Sequence, residues 1–135
     1  MNSILTMNRA ADNIRILAAS MVEKAKSGHP GGAMGGADFI NVLYSEYLQF
    51  DPKNPAWVGR DRFFLDPGHM APMLYAQLAL IGKFSMEELQ QLRQWGSPTP
   101  GHPEVCIERG IENSSGPLGQ GHAYAVGAAI AAKFL

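Results

Sequence analysis

At 135 residues and 14.6 kDa the chain has the size of one domain, so two independently folded units are not expected. Hydrophobic residues form 46% and charged residues 17% of it, a balance that excludes a disordered or fibrous chain and allows a real core. A formal net charge of -1 without any block of like charge speaks against nucleic acid or an anionic membrane as partner and for a small molecule or another protein.

Residues 1–6 lack a basic flank ahead of an apolar core, and no apolar run reaches the roughly 18 residues of a bilayer span. Neither secretion nor membrane insertion is expected. Ile14, Leu17, Ala18, Met21, Val22 and Ala25 recur at spacings of three and four, which predicts a helix over 10–26, with Lys24 and Lys26 in its last turn and a stop at Ser27 or Gly28. After a glycine-rich turn, Phe39, Val42, Leu43 and Tyr47 predict a second helix over 37–48, ended by Asp51-Pro52-Lys53-Asn54-Pro55. The apolar run 62–66 predicts a buried strand that stops at Asp66-Pro67-Gly68, and 70–81 a helix with Pro72 in its first turn and Gly82 past its end. Ser85-Met86-Glu87-Glu88 has the form of a capping box with Phe84 and Leu89 as its staple, which predicts a helix over 86–95. A rigid loop at 97–103, a weak strand at 110–113 and an Ala-rich helix over 119–135 complete the chain. Cys106 is the single cysteine and closes no internal disulfide, so a reducing cytoplasm is the expected location.

Two strand–turn–helix units imply an α/β domain with a parallel sheet and ligand sites at the carboxyl ends of its strands. The last helix reaches Lys133-Phe134-Leu135 with no residue to end it, so the chain is expected to stop inside an element.

Every histidine follows a glycine: Gly28-His29, Gly68-His69, Gly101-His102 and Gly121-His122. The 15 glycines and 9 prolines, about 18% of the chain against roughly 12% in an average protein, gather largely at these turns. Glycine permits positive φ and close backbone approach, so such a pair can hold an imidazole over a cleft. His29 reads either as part of a helix stop that caps nearby carbonyls or as a ligand contact. His69, after the expected strand, reads as the first residue of the next helix or as a functional group. His102, in a loop fixed by two prolines, is an ordered contact or a plain crossover, and His122 reads as a surface or capping residue. The histidines lie tens of residues apart and match no compact zinc motif, while Cys106 and Ser114-Ser115 lack the setting of a nucleophile. The segment 113–121 is neither a dinucleotide fingerprint nor a phosphate loop. It suits either a ligand approached by backbone near a helix N-terminus or a tight strand-to-helix turn.

In order and spacing, Ser27-Gly28-His29-Pro30-Gly31, Arg60-Asp61-Arg62-Phe63 leading to Gly68-His69, Thr99-Pro100-Gly101-His102-Pro103-Glu104 and Gly116-Pro117-Leu118-Gly119-Gln120-Gly121 together resemble the amino-terminal part of the transketolase family. The resemblance covers nearly the whole chain. It implies a truncated parallel-sheet, thiamine diphosphate binding fold, helix-rich in this segment, with residues 1–135 forming the amino-terminal portion of the cofactor domain. For the parent protein it implies transfer of a two-carbon ketol unit between sugar phosphates, in the pentose phosphate pathway, with thiamine diphosphate and Mg or Ca as cofactors. In that chemistry the thiazolium carbon attacks a ketose carbonyl and the ring delocalises the electrons released by cleavage. By the same resemblance His69 lies at the diphosphate and the reacting centre, His29 and His102 hydrogen-bond substrate hydroxyls and assist proton transfer, and Gly116, Pro117 and Leu118 line the cofactor.

No metal ligand is expected within the chain, since the family's Gly-Asp-Gly motif is absent from it, as is the domain that carries the activating glutamate. Family members place each active site between two subunits. The chain alone is therefore expected to be inactive, with weak or no cofactor affinity, and to pair as a homodimer or with a complementary carboxyl-terminal chain. Asp66-Pro67 and His122 depart from the family's usual small polar pair and aliphatic residue, and none of Arg60, Arg62 and Arg93 is assignable to the substrate phosphate. Two alternatives stand beside this reading: another thiamine-dependent ketolase such as a dihydroxyacetone synthase, and a noncatalytic module offering its apolar surface to a partner chain.

Overall fold

A computed structural model describes residues 2–135; Met1 lies outside the described residues. Helix α1 (Ile4–Ala25) begins ahead of the apolar periodicity because Ser3 caps it, its hydroxyl accepting the Thr6 N–H at 3.1 Å. It ends sooner than expected, at Lys26, whose φ of 50° turns the chain left-handed and whose N–H meets the Glu23 carbonyl at 3.2 Å.

The glycine-rich stretch expected as a turn is helical. Helix α2 (Pro30–Gly35) opens with Pro30, whose fixed φ and missing N–H suit a first helical position. Glycine here serves close packing: a Cβ on Gly32 would lie 3.0 Å from Met70 Cγ. The expected helix over 37–48 divides into α3 (Ala37–Val42) and a wider π-helical turn, Leu43–Tyr47, closed by the Leu48 N–H on the Leu43 carbonyl at 2.9 Å.

Helix α4 (Ala71–Leu80), entered through a 3-10 turn at Gly68–Met70, is the centre of the fold. Every residue from Ala71 to Ala79 is buried, and α1, α2 and α3 all pack on it, adding Ile14, Ala18, Met21, Ala33, Ala37 and Ile40 to the core. Helix α5 (Met86–Leu89) shows the capping box in both directions, with Phe84 and Leu89 buried as its staple. The helix expected over 86–95 stops after one turn, because Arg93 adopts a left-handed φ of 63° and gives its N–H to the Thr99 carbonyl at 3.0 Å. Helix α6 (Gln120–Phe134) follows Gly119, whose φ is 87°.

The two expected strands are not strands, and no parallel sheet forms among the described residues. Residues 62–66 are extended but pair with a side chain: Asn113 accepts the Leu65 N–H at 3.0 Å and donates to the Leu65 carbonyl at 3.2 Å. Residues 110–113 contribute only Ile111, which exchanges two backbone bonds with Cys106 in an antiparallel bridge. Extended backbone becomes a sheet only beside another extended segment that offers a ladder, and here a buried amide takes that place.

Candidate functional site

Three of the four glycine–histidine turns converge. His29 is the residue before α2, and its side chain makes no capping hydrogen bond; the ring instead faces His69, with centroids 4.6 Å apart and planes inclined by 38°. His69 stands in the 3-10 turn that leads into α4. His102 lies near enough for charge to tell: partial burial first, and then the charges of Arg93, His69 and His29, hold its pKa below the usual imidazole value. The shift favours the neutral ring, whose free nitrogen can accept a proton or a hydroxyl hydrogen bond.

The loop that carries His102 is fastened at several points. Thr99 is fully buried and its hydroxyl donates to the Glu88 carbonyl at 3.0 Å. The buried Tyr75 of α4 donates its hydroxyl to the Pro100 carbonyl at 2.9 Å. Burial, and then the charge of Glu104, push the Tyr75 phenol up, so it remains a donor throughout the working pH range. Beyond His102, the Ser115 N–H donates to the Pro103 carbonyl at 3.0 Å, and the Val105 N–H to Ser114 Oγ at 3.0 Å.

Those last bonds bring the glycine loop 116–119 beside the histidines. Gly68 is what allows it: a Cβ there would lie 2.7 Å from the Ser115 carbonyl oxygen and 2.8 Å from its carbon. At the start of α6 a Cβ on Gly121 would come 2.8 Å from the Leu65 carbonyl oxygen, so both glycines exist for close backbone approach. His122, expected as a surface or capping residue, has an exposed ring whose Nδ1 lies 2.9 Å from Asp66 Oδ2, on a carboxylate that is itself buried. Leu118 is exposed, and space over Gly116 is open.

The arginines separate by role. Arg60 forms a two-point ion pair with Glu112 at 2.6 and 3.0 Å, with both side chains less than a tenth exposed, which makes it part of the frame. Arg62 is exposed. Arg93 alone stands by the histidines, its Nη1 donating to Ser27 Oγ at 3.1 Å. Arg93 and Tyr75 were not legible as site residues; the one signal for Tyr75 was a phenol in a helix whose only other polar side chain is Gln77, since a buried phenol must find a hydrogen-bond partner. No group of three or more metal-ligating side chains occurs among the described residues, and none of their helices is long and apolar enough to cross a membrane.

Three imidazoles thus stand on turns and loops beside a glycine loop that presents backbone and one exposed apolar side chain. Residues 6–135 match the family model of the transketolase thiamine diphosphate binding domain. The chain is 53% identical over 131 residues to the chloroplastic transketolase-1 of Arabidopsis thaliana, covering 96% of this chain and 18% of that protein. It is 52% identical over 126 residues to transketolase 1 of Escherichia coli, covering 93% and 19%. Among solved structures, the transketolase of Campylobacter jejuni superposes with a TM-score of 0.90 at 46% identity, over 98% of this chain and 21% of that one. A Pichia stipitis transketolase in complex with sedoheptulose-7-phosphate does so with a TM-score of 0.85 at 43% identity, over 90% and 18%. The chain belongs to the transketolase family, within its thiamine diphosphate binding domain, and spans about a fifth of the length of these relatives.

Proposed function

We propose that residues 2–135 supply the amino-terminal part of the cofactor domain of a transketolase that moves a two-carbon ketol unit between sugar phosphates. The convergence of His29, His69 and His102 beside the loop 116–118 carries this reading. The residues fit one side of thiamine diphosphate: Gly116 leaves open space, Leu118 offers an exposed apolar side chain, and Ser115 Oγ is buried with no hydrogen-bond partner among the described residues. Gly116, Pro117 and Leu118 would line the group, with His69 beside it. When bound, thiamine diphosphate supplies an acidic carbon nucleophile and an electron sink.

The chain's own residues then bind and orient. His29 and His102 offer ring nitrogens to sugar hydroxyls. His102, held neutral, takes a proton from a hydroxyl and returns it. Tyr75 and Thr99 keep that imidazole in place, and the buried helix α4 supports the two loops, a rigid base of the kind that catalytic positioning requires. By the family resemblance, the ligands of a divalent metal that accompanies the diphosphate would come from parts of the protein outside residues 2–135. Homodimer partnership, a parallel sheet completed by further strands along 62–66, and a reducing, cytoplasmic setting for Cys106 belong to the same proposal.

The test is a graft in which residues 2–135 replace the matching segment of the Escherichia coli enzyme. Ketol transfer from a phosphorylated ketose should be retained in the graft and lost in its His69→Ala variant, with no transfer by the 135-residue chain alone. Stable, dimeric graft protein without transfer contradicts the proposal, and partner binding without transfer would instead mark a noncatalytic module.

A further inference from the structure

Arg93 has a backbone and a side chain that local sequence does not account for. A left-handed φ of 63° on a non-glycine residue is unfavourable and persists only where its surroundings impose it. Here the Arg93 N–H is bound to the carbonyl of Thr99, which is itself fully buried and bonded to Glu88. That conformation sends the guanidinium across to two different loops. Its Nη1 reaches Ser27 Oγ at 3.1 Å, two residues before His29. Its Nε and Cζ sit against Gly101, where an added Cβ would lie 2.7 and 2.9 Å from them, immediately before His102. Gly101 is thus the seat of the guanidinium.

We propose that Arg93 is a positioning residue of the histidine cluster, a cross-link that fixes the His29 turn against the His102 loop so that their imidazoles face one cleft. This deepens the proposed function and rests on it. A planar fork suits the task, because several donors leave it at set angles whereas a lysine offers one mobile point. The same cation adds to the positive charge around His102. The ionisable groups near that ring are Arg93, His69 and His29, which hold its pKa down, and Glu104 and Arg109, which line the same groove. Arg93 therefore holds the imidazole where it stands and adds, after burial, to what keeps it free to accept a proton.

In the full-length graft, Arg93→Met should lower kcat/KM about tenfold or more, the scale expected when reacting groups drift by a fraction of an ångström. It should also move the acid limb of the pH profile upward, because without the cation His102 returns toward its ordinary value of 6.5. Arg93→Lys restores the charge and should hold the acid limb near that of the parent while the rate stays reduced. Gly101→Ala removes no functional group, yet its methyl would occupy the guanidinium's seat, so it should reproduce the Arg93→Met profile. A parental rate and pH profile in Arg93→Met or in Gly101→Ala overturns the proposal, as does an Arg93→Lys limb displaced as far as that of Arg93→Met. A parental graft without ketol transfer overturns the functional reading instead. The Arg93 assignment is then decided by NMR titration of the four histidines in the 135-residue chain, where Arg93→Met should raise His102 and leave His122 unmoved; an unmoved His102 overturns it.

Discussion

Helices α4 and α6 are built from similar material and end in opposite surroundings. Both are apolar around their circumference. In α4 every residue from Ala71 to Ala79 is buried, whereas in α6 only Gly121 is, with Val126, Ile130 and Phe134 exposed by 60%, 55% and 82%. A helix that is hydrophobic all round is a core helix, so α6 has the composition of one without the neighbours. The site divides along the same line. The histidine half stands on α1 to α4 and is held by buried groups, while the glycine-loop half is fastened at its base through Ser115, Gly121 and Asp66 and presents Leu118 outward.

Truncating one side chain on each helix exposes the difference between them most strongly. Leu74→Ala should destabilise the chain by about 2–5 kcal/mol, as expected when a buried leucine is emptied, and Ile130→Ala by less than about 0.5 kcal/mol, both read from urea unfolding. Equal effects would show that α6 is buried in solution. Next in size is Gly68→Ala, whose methyl would meet the Ser115 backbone; overpacking of this kind costs about 1–3 kcal/mol. It should separate the two halves of the site, visible as chemical-shift changes at both 67–70 and 114–118 and not at α1.

Smaller effects sharpen the picture within each half. Ser85→Ala removes one arm of the α5 capping box and should cost about 1 kcal/mol, with loss of amide protection at 86–89. His122→Ala takes the exposed partner from Asp66 and should cost no more than about 1 kcal/mol, measured by the same unfolding series.

Acid brings two signatures of known sign. Glu88 is held below the ordinary carboxylate range by its hydrogen bond from Arg109 and by the Ser85 N–H. Its contribution is complete above the unfolded-state value of 4.5 and fades as pH falls through the depressed one, so Glu88→Gln should flatten that part of the stability profile. His102 is depressed mainly by burial. Below its ordinary value of 6.5 the unfolded chain takes up the proton first, so stability declines on acidification through that range, and His102→Asn should abolish that decline.

Much of this was legible in the sequence, for definite reasons. Periodicity located α1, α4 and α6, and the Ser85–Glu88 pattern was a capping box because that motif is local. The glycine–histidine turns were recognisable, since a glycine is needed wherever backbones meet as closely as Gly68 and Ser115 do. What was not legible depends on distant partners. Pro30 and four following glycines read as a turn, yet they coil because α2 must lie close to Met70. A strand is a relation between two segments, and 62–66 found the Asn113 amide instead. Arg93's left-handed backbone follows from Thr99, a residue six positions on, which shortened α5 and carried a cation to the histidines. Asp66 and His122, far apart in sequence, turn out to touch.

Under the proposed function, the chain holds a preformed half of a cofactor site that the remainder of a transketolase completes. Calorimetric titration with thiamine diphosphate and magnesium, performed on the 135-residue chain and on the full-length graft, tests this most directly. Metal-dependent binding by the graft and weak or no binding by the chain are expected; tight binding by the chain alone, or none by a folded graft, would contradict the proposed function.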